Sequence, residues 1–207
     1  MDEIYERRAF LFDISTDDEG HTLNGRPIVF EEKTDLGEYD EIISRGALDN
    51  TDLRDVRFLV NHDLSKIPLA RSRRNNANST MQLMPDADGM AIRVDLDTEN
   101  NADARALYSA VKRGDITGMS FMFGVRGQEW RDLDSDHPTR IITAISDVVE
   151  VSAVTFPAYD ATEIEARSKE TLDRARQTLE SAREQRATVV DTTLELLKEK
   201  TKTLISL

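Results

Sequence analysis

Apolar and polar positions alternate most cleanly over Met90–Asp97, where Met90, Ile92, Val94 and Leu96 interleave with Ala91, Arg93, Asp95 and Asp97. A period of two describes a strand with one face in the core. Thr80–Met84 lies just upstream across PDADG, so Asp88-Gly89 is expected to turn a hairpin. Val56–Asn61 alternates in the same way and ends at His62-Asp63. Further strands are predicted over residues 3–14, over Ile28–Phe30 after an Asn24-Gly25 turn, over Ile116–Val125, over Arg140–Ile145 and over Val148–Phe156, which Pro157 closes. In that last run Val149, Val151, Ala153 and Thr155 share one face, and Val148, Glu150, Ser152 and Val154 share the other. The segment EEKTDLGEYDE reads as a charged loop, Gly46 as a turn or helix stop, and Asp49–Asp55 as a helical turn.

One helix stands out, over residues 100–113. Asn100 or Asn101 can cap its start, Leu107, Ala110 and Val111 form its apolar stripe, and Lys112-Arg113-Gly114 closes it. From Ser168 onward glycine, proline and aromatic residues vanish, and Ala, Glu, Arg, Leu and Lys dominate. Leu172 and Leu179 are seven apart, as are Leu197 and Leu204, with Arg186 between the pairs. This describes a charged helix or a weak coiled coil, broken around Ala187–Val190. The fold class expected is mainly β with α: a compact antiparallel β-barrel with packed helices over residues 1–165, and a charged helical extension over 166–207.

Composition narrows the function classes. The 207 residues carry a net charge of −13, which argues against a general nucleic-acid binder, since that needs a basic face for phosphates. The chain has no cysteine, which removes thiol catalysis, disulfides and cysteine-ligated zinc. No apolar run approaches the ~20 residues of a membrane span, and MDEIYERR lacks the apolar core of a signal peptide.

Candidate chemistry centres on Ser120 in ITGMSFMFGV, a polar residue inside an apolar strand beside Gly118. A satisfied core hydroxyl is the plain explanation. The alternative is a nucleophile presented by a rigid strand, which then requires a base. Of the three histidines, His21 lies in a turn and His137 in an acidic loop, whereas His62 ends a buried strand. Glu150, on a strand face where an unpaired carboxylate is costly, supplies an orienting anion. Nucleophile, base and anion are the parts of a catalytic triad, recognised by role rather than by chain order.

The blocks VNHD (60–63), TGMSFMF (117–123) and VVEVSAVTFPAYDAT (148–162) resemble the signatures of the prohead proteases of tailed bacteriophages, serine peptidases distantly similar to herpesvirus assemblins. LNGRPIVF (23–30) and EIISRGAL (41–48) resemble that family's upstream blocks, in the same order, so the likeness covers roughly residues 3–165. The resemblance implies an assemblin-like barrel with His62 as general base and Ser120 as nucleophile. It matches Glu150 to the acidic member, with Asp147 the runner-up and Asp63 a weaker candidate. It also implies action inside the assembling procapsid in the bacterial host cytoplasm, on scaffold or on the scaffolding segment of the major capsid protein, and on the chain itself, with a second copy of the chain as a candidate partner in a homo-oligomer. No cofactor, metal, nucleic acid or membrane is expected. The chain departs from relatives at Pro68–Arg71 and in the long acidic loop 126–139; backbone amides near Ser120 with Arg71 assisting are a guess for the oxyanion hole. Two rivals remain: a non-catalytic scaffold-like assembly protein, and a hydrolase built on two carboxylates such as Asp95 and Glu150.

Overall fold

The structure, a computed structural model, describes residues 5–10, 14–17, 20–74, 76, 78–155 and 168–186. Two β-sheets carry most of the described chain. The first contains β1 (Tyr5–Phe10), β4 (Lys33–Asp35), β5 (Asp40–Ile43), β6 (Asp55–Val60), β7 (Ala70–Arg73), β10 (Gly118–Arg131) and β11 (Thr139–Val154). The second runs β2 (Ser15–Thr16), β3 (Thr22–Val29), β9 (Gly89–Asp95) and β8 (Met81–Asp86) in the order β2-β3-β9-β8. A single hydrophobic cluster takes Ile28, Leu83, Ile92 and Val94 from the second sheet and Phe58, Phe121, Phe123 and Val151 from the first. Burying each such side chain stabilises the fold by roughly 1.5–3 kcal/mol.

The helix α1 (Ala102–Arg113) adds Ala104, Leu107, Tyr108 and Val111 to this core. Its start is capped by the Asn101 side chain, which accepts from the amides of Asp103 and Ala104, and it ends at Gly114 in the left-handed conformation. Residues 168–186 form a second helix, α2. Leu172, 2% exposed, packs with Leu36 and Tyr39, while Arg176 donates to the Leu133 and Ser135 carbonyls. The expected tail thus meets the body along 168–186; Leu197, Leu204 and the break around 187–190 lie outside the described residues.

The closed antiparallel barrel is not what forms. The architecture is α+β, and neither sheet closes among the described residues. The reason lies at β11: one edge pairs with β10, while the other is divided between two parallel partners, β5 along Thr139–Ile142 and β6 along Glu150–Ala153. A strand whose edge is split in this way forks the sheet. Several local expectations change as well. Asn24-Gly25 makes no hairpin; β3 runs through it with an irregularity before Ile28. The supposed charged loop holds the β4–β5 hairpin, with Gly37 at φ 84°. Asp49–Asp55 forms turns rather than a helix. The two strands expected over residues 140–156 are one, β11. The β8–β9 hairpin turns at Ala87-Asp88, and Gly89 already pairs with Asp86 and Val29. A Cβ there would lie 2.0 Å from the Ile28 carbonyl oxygen, so glycine is required by close approach.

A buried quartet of charges joins neighbouring strands of the first sheet. Arg8 on β1 donates to both carboxylate oxygens of Glu41 on β5 and also reaches Glu6. Arg140 on β11 grips both oxygens of Glu6 at 2.7 and 2.8 Å, reaches Glu41 at 3.0 Å, and donates through Nε to Gln128 on β10. Two positive and two negative charges cancel, and bidentate geometry offsets the desolvation of each. Burial alone pushes the Glu6 carboxyl up, but the Arg140 hydrogen bonds and the Arg8 and Arg140 charges outweigh it and hold the group at about 2. A depressed carboxylate contributes stability that is present above its unfolded value and lost as pH falls toward the folded one. The linkage is on the order of 3 kcal/mol at neutral pH. Glu6→Gln is therefore expected to lower the urea midpoint at pH 7, with the gap to wild type closing between about pH 4.5 and 2. An equal gap at pH 7 and pH 2.5 contradicts this account.

Candidate active site

In a β-ladder, directly paired residues point to the same face, and neighbours along a strand point to opposite faces. The row Arg8–Phe121–Val151–Phe58–Ala70 crosses five strands and, apart from Arg8, belongs to the main core. The two rows beside it therefore face the other way. One is Ala9–Ser120–Ser152–Leu59, and the other is Arg7–Met122–Glu150–Arg57–Arg71. Both candidate carboxylate and candidate nucleophile thus stand on the sheet face turned away from the main core. Leu59 and Met122 there are buried, yet belong to neither hydrophobic cluster.

His62 reaches this face because the chain turns sharply at the end of β6. Asn61 and His62 both have positive φ, 51° and 58°, and the Asp63 amide donates to the Val60 carbonyl. Two consecutive left-handed residues closed by such a bond have the pattern of a type I′ turn, in which asparagine is favoured. The Asn61 side chain accepts from the Thr155 amide and hydroxyl at 3.0 and 3.1 Å, tying the turn to the end of β11. The imidazole then meets Glu150, with Nδ1 and Oε1 2.6 Å apart; the His62 side chain is 8% exposed and that of Glu150 0%. A carboxylate at Nδ1 selects the tautomer protonated there and leaves Nε2 as the acceptor. The second oxygen of Glu150 accepts from the Ser152 hydroxyl at 2.5 Å, and Ser152 Oγ in turn accepts the His62 amide at 3.1 Å.

Ser120 is fully buried, and its hydroxyl donates to the Arg8 carbonyl of β1 at 2.8 Å. Among the described residues no hydrogen bond joins it to His62. The structure therefore brings His62 and Glu150 into contact and sets Ser120 one strand away on the same face, opposite Ser152. The other acidic candidates are engaged elsewhere. The Asp147 carboxylate accepts from the Ser146 hydroxyl while its backbone forms an isolated β-bridge with Asp52, and Asp63 accepts from the hydroxyl and amide of Ser65, which hold it below its ordinary value. Arg71, the expected oxyanion donor, instead donates to both carboxylate oxygens of Asp55, through Nε at 2.5 Å and Nη2 at 2.6 Å. Ser152 went unassigned in the sequence, although two polar residues alternating on one face of an apolar strand, Glu150 and Ser152, were its signal.

Asp35, Asp40 and His137 also bring metal-ligating atoms within 4.8 Å of one another, at the opposite end of β11. Lys33 Nζ lies 2.7 Å from Asp40 and already supplies positive charge to this group.

The profile of the caudovirus prohead serine protease family matches residues 11–177. The chain belongs to that family. It is thus a serine protease of bacteriophage capsid maturation, and the match extends from the sheets into α2. No curated protein and no solved structure matches it significantly. No helix among the described residues of the protease is long and apolar enough to cross a membrane.

The turn that carries His62 generates a stability test. Asn61→Val places a β-branched residue at φ 51° and removes both links to Thr155. A cost of about 1–3 kcal/mol is expected, read as a lowered Tm in thermal unfolding. Asn61→Gly accepts the conformation and should lose less. Equal Tm losses for the two variants would show that backbone strain is not the cause.

Proposed function

We propose that the protease is an endopeptidase in which Ser120 is the nucleophile, His62 the general base and Glu150 the group that holds the imidazolium. The reading is carried by the buried His62–Glu150 contact on the sheet face that Ser120 shares. In the resting arrangement the Ser120 hydroxyl is directed at the Arg8 carbonyl. A rotation about its Cα–Cβ bond turns it toward Nε2, since catalytic hydrogen bonds often form only with substrate in place. His62 takes the hydroxyl proton as Ser120 Oγ adds to the scissile carbonyl carbon. The imidazolium returns that proton to the leaving amine, giving an acyl-enzyme that water hydrolyses by the same steps. Glu150 remains ionised throughout and fixes the ring.

The substrates are scaffold or the scaffolding segment of the major capsid protein, together with the protease itself. The reaction takes place inside the assembling procapsid in the host cytoplasm. No metal or organic cofactor enters this chemistry. The catalytic unit spans residues 1–165, and 166–207 serve in docking or are removed by self-cleavage. A relation to herpesvirus assemblins rests on the family resemblance alone, without the closed barrel first expected.

The test is intact mass over time for wild type and Ser120→Ala, each coproduced with the major capsid protein. Discrete cleavage in wild type and none in Ser120→Ala is the expected result. Intact partners in both, despite assembled shells, transfer the reading to a non-catalytic assembly protein. On the mapped site, Glu150→Gln should lower kcat by about 10²–10⁴-fold, as for a misdirected general base. A chain ended after Arg167 is expected to be poorly incorporated into procapsids; normal incorporation and processing would sink the docking role.

A further inference from the structure

The Ser152 hydroxyl touches both the His62 segment and the Glu150 carboxylate, and the residue is 0% exposed. Its oxygen accepts from the His62 amide at 3.1 Å, and its proton goes to Glu150 Oε2 at 2.5 Å. A hydroxyl has one donor and few acceptor sites, and both kinds are in use here. Glu150 is likewise complete, with Oε1 on His62 and Oε2 on Ser152.

Each contact controls one degree of freedom of the base. The amide contact holds His62 in its left-handed conformation, φ 58°, which only the end of a tight turn favours. The carboxylate contact fixes the plane of Glu150, and with it the direction in which Oε1 meets the imidazole. Were the hydroxyl absent, one buried carboxylate oxygen and one backbone amide would lose their partners together. A hydroxyl that only satisfies itself needs a single backbone carbonyl as partner. Ser152 instead bonds to both members of the His62–Glu150 pair, Glu150 on its own strand and His62 in the turn after β6.

We propose that Ser152 is a positioning residue, a hydroxyl clamp that sets the orientation of both His62 and Glu150 for proton transfer. The proposal rests on the reading of Ser120, His62 and Glu150 given above. Ser152 is not itself the nucleophile in this scheme, in which the family resemblance gives that role to Ser120.

The experiment uses the full chain and a synthetic peptide spanning the cleavage site mapped by mass. Ser152→Ala is expected to lower kcat by about 10–100-fold, less than the ~10²–10⁴-fold supplied by a general base, with KM changed by no more than about twofold. Ser152→Thr keeps the hydroxyl and should recover most of kcat. The His62 Nδ1 proton resonance should shift in the alanine chain and return with threonine. Ser152→Cys keeps the volume but donates weakly, and replaces alanine should that variant fail to fold. Full kcat in a folded Ser152→Ala or Ser152→Cys chain overturns the clamp, as does a loss of rate that threonine leaves unrestored. The two readings fail separately. If Ser120→Ala is inactive while Ser152→Ala is fully active, only the clamp is lost. If Ser120→Ala keeps its activity, or a fluorophosphonate labels Ser152 in place of Ser120, the assignment of the nucleophile falls and the clamp with it.

Discussion

The register between β10 and β11 is the constraint on which the rest depends. It places Ser120 opposite Ser152 and Met122 opposite Glu150, and it sends Phe121 and Val151 into the core between them. Because side chains alternate with a period of two, a slip of one residue would exchange the two faces entirely. The polar group of the site would enter the hydrophobic cluster, and the phenylalanines would leave it. Small residues help to hold the pairing. A Cβ at Gly124 would meet Ser146 Oγ at 2.3 Å, and one at Gly127 would meet Thr143 Oγ1 at 2.8 Å. The ladder between these points is irregular, with shifts between Met122 and Gln128, so the hairpin bends where it also needs room.

From that register the site follows with few further parts. Parallel pairing of β6 with β11 aligns Arg57 with Glu150 and Leu59 with Ser152, which leaves the end of β6 one short turn from the carboxylate. The Asn61-His62 turn covers that distance. A buried glutamate on an otherwise apolar strand is costly by itself, and the histidine and serine that satisfy it are the same groups that give it chemical meaning. In the proposed mechanism, stability and catalysis draw on one set of contacts.

Much of this was legible in the sequence, for identifiable reasons. Alternation revealed β6, β8, β9 and the end of β11, and capping residues revealed α1, because those signals are local. Glu150 stood out as a carboxylate on a strand face it shares with Val148 and Val154, and the order of the five blocks led to the family. What the sequence concealed was non-local. Nothing near Arg140 announces that it pairs with Glu6, 134 positions away. The forking of β11 between β5 and β6 depends on two parallel pairings that no turn signal marks. Asn24-Gly25 misled because a turn-favouring pair can also sit at a strand irregularity. Ser120 was singled out by its apolar surroundings, but its hydroxyl bonds to the Arg8 carbonyl, on a strand more than a hundred residues earlier.

That strand has a consequence for how the molecule is handled and how it behaves when crowded. β1 covers the free edge of β10 and lies before residue 11, where the family match begins. A chain begun at that boundary would leave the backbone of Met119–Gly124, one of the most apolar stretches in the molecule, as an open edge. Open, apolar edges recruit strands from other chains. Six residues ahead of the matched span thus act as a built-in guard against association through that edge.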